Sequence, residues 1–156
     1  MKPAIKKGLS FGLTSGVITT LGLMVGLYAG TASSAAVLGG ILTIAIADSM
    51  SDALGIHMSE ESTNSDHSHV WAATIATFVT KFLFALTFAI PVLLFDLTTA
   101  VIISIVWGLL ALIIINYKMA VAKKENPGKL IFEHLSIAIL VIVATYLVGN
   151  WISIIF

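Results

Sequence analysis

The sequence predicts an all-α, polytopic membrane protein: a single domain over residues 1–156 with five transmembrane helices. Its N-terminus is expected on the cytoplasmic side and its C-terminus on the opposite side. Three observations carry that expectation. The chain has 58% hydrophobic and 10% charged residues and a mean hydropathy of +1.06, where a soluble domain carries roughly 25% charged residues. Its apolar residues fall into five windows, each near the roughly 20 residues that a helix needs to cross a hydrocarbon core of about 30 Å. The basic residues are all lysines, and seven of the eight gather at the ends of those windows that share one side.

The first window, Gly8 to Ala29, follows the basic start Met1 to Lys7. It is too long for the apolar core of a signal peptide and lacks a convincing cleavage pattern, so it reads as a retained helix. Glycines four apart, Gly12 and Gly16, then Gly22, Gly26 and Gly30, lie along one side of that helix and permit close approach of another backbone. The sequence leaves open whether the partner is within the bundle or in a second copy. The second window, Ala35 to His57, follows the break Gly30 to Ser34; the third, Val70 to Phe95, follows the polar stretch Met58 to His69. Asp96 reads as a polar residue capping the turn before the fourth window, Thr98 to Tyr117. The connection Lys118 to Gly128 ends in an Asn126-Pro127-Gly128 turn before the fifth window, Lys129 to Ile155.

Positive charge in short loops disfavours translocation. Lys2, Lys6 and Lys7 precede the first helix, and Lys118, Lys123, Lys124 and Lys129 surround the fourth connection, which five spans place on the same side. The two opposite loops have neither lysine nor arginine. Several functional classes drop out. The chain has no cysteine, which removes disulfides and thiolate chemistry. Its formal net charge of zero gives no reason to expect nucleic acid. No nucleophile–base constellation, phosphate-cradling loop or metal-hydrolase motif is present, so an enzyme is not expected.

The chemistry concentrates in Ala47 to Glu61. Asp48 and Asp52, four apart, share a helix face with Gly55 and Ser59 and are placed to hold one cation, whereas Met50 and His57 project from the other side. Counted from Ala35 at 1.5 Å per residue, Asp48 lies ~20 Å deep and Asp52 ~26 Å. An aspartate at the depth of Asp48 costs about 2.5 to 3.5 kcal/mol to insert, so it must be paired, protonated or facing a hydrated space. Lys81, the one lysine inside a span, lies ~16 Å from the inner boundary, within reach of Asp48. Two readings therefore stand side by side: an Asp48–Lys81 ion pair that only supports the bundle, and a pair in which Lys81 takes the place of a proton or metal when the site is empty. The stretch Met58 to His69 brings Glu60, Glu61, Asp66, His67 and His69 together. Such oxygen and imidazole donors suit first-row divalent metals, although acidic loops are commonly no more than solvated. Glu133 and His134 read as interfacial.

At these residues the chain resembles the vacuolar iron transporter family, which includes the plant vacuolar iron transporters, the yeast vacuolar iron and manganese importer and nodulin-like relatives. The matching stretches are Gly12 to Gly26, Ala47 to Glu61, Ala76-Thr77-Phe78 with Ile90-Pro91, and Thr145 to Gly149. Together they cover essentially the whole chain. The resemblance implies a homodimeric, proton-coupled exporter of Fe²⁺ or Mn²⁺ from the cytoplasm, with an ion path between protomers and no permanently bound cofactor. It adds Met50 to Asp48 and Asp52 as a ligand candidate, a soft sulfur donor fitting ferrous iron, even though Met50 lies off the aspartate face. The chain departs from the family in two places. Ser15 stands before Gly16 where the family commonly has an aspartate, and the cytoplasmic metal-binding insert of larger members is missing. The runner-up functions are a non-transporting membrane subunit or metal sensor, and a transporter of another solute on the same scaffold.

Overall fold

The computed structural model describes residues 3–63 and 66–156. Met1, Lys2, Asn64 and Ser65 lie outside the described residues, and with them the contribution of Lys2 to the lysine cluster and the centre of the polar stretch between the second and third spans. Among the described residues six helices follow in order: α1 (Pro3–Thr31), α2 (Ser34–Thr63), α3 (His67–Thr87), α4 (Ala89–Leu94), α5 (Leu97–Lys123) and α6 (Pro127–Ile155). Because α3 and α4 form one apolar span, His67–Leu94, five helices among the described residues are long and apolar enough to cross a membrane.

The helices run further than the apolar windows. Between α1 and α2 the break shrinks to Ala32 and Ser33, and α5 continues to Lys123 instead of ending at Tyr117. Polar residues at the ends of the spans remain helical because extending an existing helix adds one hydrogen bond per residue fixed, with no new nucleation cost. The stretch Met58 to His69, expected as a loop, is helical for most of its length. Glu60 and Glu61 belong to the last turn of α2, and His67 and His69 to the first turn of α3. Asp66 caps α3, its side chain accepting from the Ser68 N–H. The third span is broken at Phe88, which separates α3 from α4. Pro91 accounts for the break: it has no N–H to donate and its ring crowds the carbonyl four residues earlier, that of Thr87.

The glycines of α1 explain why that helix lies at the centre. A Cβ on Gly12 would meet the Thr77 carbonyl oxygen at 2.8 Å, and one on Gly16 the Lys81 side chain at 3.3 Å. One Cβ added to Gly26 would touch Thr145, and one added to Gly30 would touch Gly149. The lower glycines therefore seat α3 and the upper ones α6, which answers within one protomer the question that the spacing left open. Both contacts ascend in step along the two helices they join, so α1, α3 and α6 are parallel. Consequently the start of α1 and the end of α6 lie at opposite ends of the bundle. Burial follows the same order, with half of the apolar window of α1 buried against 6% of that of α6. Leu21, Met24, Ile41, Phe88 and Leu112 form the middle of the core.

Candidate functional site

Lys81 lies on α3 one turn beyond Thr77, where Gly12 and Gly16 let α1 pass close enough to cover its stem. Its side chain is 2% exposed. A lysine so enclosed requires anions, and α2 supplies two of them. Lys81 Nζ lies 2.6 Å from Asp48 Oδ2, an ion-pair contact without hydrogen-bond alignment, and donates a short hydrogen bond to Asp52 Oδ2. Lys81 Nζ also lies 2.9 Å from Ser15 Oγ on α1, and Ser15 Oγ donates to Asp52 Oδ2 at 2.6 Å. Three helices thus converge on one ammonium group.

The charges do not cancel. Counted formally, two carboxylates face one ammonium, and the carboxylates are not sealed: Asp48 is 26% and Asp52 22% exposed. Beside them α2 presents an open face. Gly39, Thr43, Ala47, Ser51 and Gly55 are all exposed at a spacing of four, and a Cβ added to Gly39 or Gly55 would meet nothing within 4 Å. The glycines of α1 are used up by packing, and Gly40 of α2 packs against Leu23 and Leu27, whereas Gly39 and Gly55 stay open.

A second charged group lies nearer the end of the bundle that carries Lys6 and Lys7. Glu60 is buried, forms an ion pair with Lys7 of α1 and has its other carboxylate oxygen 3.1 Å from His69 Nε2 of α3. It therefore ties the start of α1, the end of α2 and the start of α3 together. His67 and His57 are engaged elsewhere: Trp71 Nε1 donates to His67 Nε2, and His57 Nδ1 lies 3.0 Å from Thr74 Oγ1.

The sequence-derived candidates accordingly separate. Asp48, Asp52 and Lys81 come together, with Ser15 as a fourth member. In the sequence Ser15 is only the departure from the family's aspartate; its place in the cluster comes from the packing of α1 through Gly16 against Lys81. Met50 is 60% exposed and lines a groove with His57, Trp71 and Phe78, away from the carboxylates. Glu60 and His69 pair with each other, while the Glu61 side chain lies exposed at the end of α2. Among the described residues, no group of three or more His, Cys, Asp or Glu side chains is placed to hold a metal ion. Asp96 caps α5, its carboxylate accepting from the Thr99 N–H at 3.0 Å.

Comparison with family models, curated proteins and solved structures returns no match. The site must therefore be interpreted on its own chemistry.

Proposed function

We propose that this chain is a secondary transporter that moves a divalent metal, Fe²⁺ or Mn²⁺, out of the cytoplasm in exchange for protons. Its exchange centre is the Asp48–Lys81–Asp52 cluster. The observation that carries this reading is the enclosed Lys81 ammonium held between two carboxylates that are themselves partly open. A support-only ion pair needs one acid and gains nothing from exposing it at membrane depth, where an unsheltered carboxylate is costly.

Lys81 then acts as the resident cation. A divalent ion arriving between Asp48 and Asp52 competes with the ammonium for the same two carboxylates and is repelled by it while the ammonium keeps its charge. Metal entry releases the Lys81 proton; metal release restores it. The step is electrogenic: the site exchanges one proton for two positive charges and passes from a formal excess of one negative charge to neutrality. The resemblance to vacuolar iron transporters supports the choice of cargo. The open small-residue face of α2 supports a homodimer, because a second copy lying there shelters Asp48 and Asp52 from lipid and adds ligands that one protomer lacks.

Purified protein in liposomes is expected to accumulate Fe²⁺ or Mn²⁺ under a pH gradient. Asp48→Asn should abolish this while the protein remains folded, and Lys81→Gln should uncouple uptake from the gradient. Full activity in Asp48→Asn removes the cluster from the mechanism. A second reading, a membrane subunit in which the cluster is purely structural, draws on the complete pairing of Lys81. It expects Asp48→Asn, Asp52→Asn and Lys81→Met together to preserve both fold and metal handling.

A further inference from the structure

A crevice of about 530 Å³ opens between helices at the end of the bundle where α1 begins, and it lies apart from the Lys81 cluster. Lys6, Lys7, Lys123 and His134 contribute its basic groups, and no acidic side chain lines it. Lys7 is engaged by Glu60; among the described residues Lys6 and Lys123 have no ion pair, and both are exposed. His134 Nδ1 lies 2.9 Å from the Leu130 carbonyl oxygen, which leaves Nε2 for the crevice. Deeper along the same helices the lining becomes apolar, with Phe11, Ile56 and Met119. Phe11 remains 41% exposed, so the apolar part is not closed off by protein. Thr14 lies ~12 Å along α1 from Lys6, and its Oγ1 is buried without a hydrogen-bond partner.

We infer that this crevice binds an anionic phospholipid, its phosphate between Lys6 and Lys123 and its glycerol and upper acyl chain against Phe11, Ile56 and Met119. Two features select a lipid over a soluble anion. The lysines occupy the outer end, whereas the inner walls are largely apolar, with Phe11, Ile56 and Met119; an acyl chain gains from burial there. The Thr14 hydroxyl, unpartnered within the protein, can donate to an ester carbonyl below the phosphate. Basic pockets between transmembrane helices select anionic headgroups by the same division of labour. The inference does not depend on what the Lys81 cluster carries.

Native mass spectrometry of the purified full chain, titrated with phosphatidylglycerol or phosphatidylcholine of the same acyl composition, tests it. Phosphatidylglycerol should bind about 25-fold more tightly, and Lys6→Gln with Lys123→Gln should remove most of that preference, about five-fold per lysine. Because both lysines are exposed and unpaired, this variant should melt within a degree or two of the parent, and thermal unfolding checks it. Equal binding of the two lipids by the parent overturns the inference, as does an undiminished preference in a folded variant. Inorganic phosphate alone, at millimolar concentration, should neither bind detectably nor displace phosphatidylglycerol. If it does both, the crevice is an anion site and the lipid assignment fails.

Discussion

Lys81 is the residue on which the middle of this bundle turns. A lysine at 2% exposure is tolerable only while its charge is matched, and removal of one partner from a buried pair typically costs about 3 to 5 kcal/mol. Lys81→Met is expected to destabilise the protein by about 3 kcal/mol, at the lower end because Asp48 and Asp52 are partly open to relaxation. Adding Asp48→Asn and Asp52→Asn should restore most of the loss, and thermal unfolding in detergent measures both. Asp96 makes the opposite case, a carboxylate outside the spans whose role is local. The Thr99 backbone N–H, helped by the Thr99 hydroxyl, holds its pKa below the usual aspartate value. A depressed folded pKa contributes stability that is complete above the unfolded value and is lost as pH falls through the folded one. Melting temperature should therefore drop below about pH 4. Asp96→Asn, which can still cap the helix, should flatten that part of the profile while leaving the melting temperature at neutral pH nearly unchanged.

Among the helices, glycine has two different meanings. On α1 and α6 it marks contact: a Cβ on Gly149 would run into the Gly26 carbonyl and also reach Ala29 Cβ at 3.0 Å. Gly149→Ala should force α1 and α6 apart and lower stability by about 1 to 3 kcal/mol, the usual range for overpacking. Gly55 of α2 instead marks open space, so Gly55→Ala should be neutral or stabilising by up to about 1 kcal/mol through helix propensity. If the two substitutions have equal effects on the unfolding temperature, the packing assignment is wrong. The four-residue spacing of Gly12, Gly16, Gly22 and Gly26 announced a packing helix but not its partner. The reason is geometric: the same ridge of small residues suits a neighbour from the same chain or from another copy, and only the register with Thr77, Lys81 and Thr145 distinguishes them.

Across the whole molecule, the position of α1 among the other helices leaves α2 and α6 at the periphery, and of these α2 carries both the small-residue face and the acidic pair. Dimerisation through that face belongs to the proposed function and is separable from folding. Gly39→Leu with Gly55→Leu should leave the melting profile of the protomer intact, since neither site has a neighbour. It should convert a dimer to a monomer in light scattering of the detergent-solubilised protein. A dimer that persists in this variant places the interface elsewhere. Loss of metal uptake alongside dimer loss would further connect the α2 face to transport.

The five spans were legible because hydrophobicity over a 20-residue window is a property of composition, and a bilayer rewards it whatever the tertiary contacts. The Asp48–Asp52 spacing and the oddity of Lys81 were legible for a related reason: an ionisable group within an apolar window stands out against its neighbours. Helix ends were less so, since Glu60, Glu61, His67 and His69 are polar enough for a loop yet remain helical. Which groups meet was decided only by the packed structure. Ser15 enters the Lys81 cluster, Met50 stays out of it, and Glu60 turns inward to Lys7 and His69. Those outcomes depend on how far three helices rotate about their axes as α1 seats its glycines against α3 and α6. Linear spacing fixes the angle between two residues on one helix, whereas the angle between one helix and the next comes from packing.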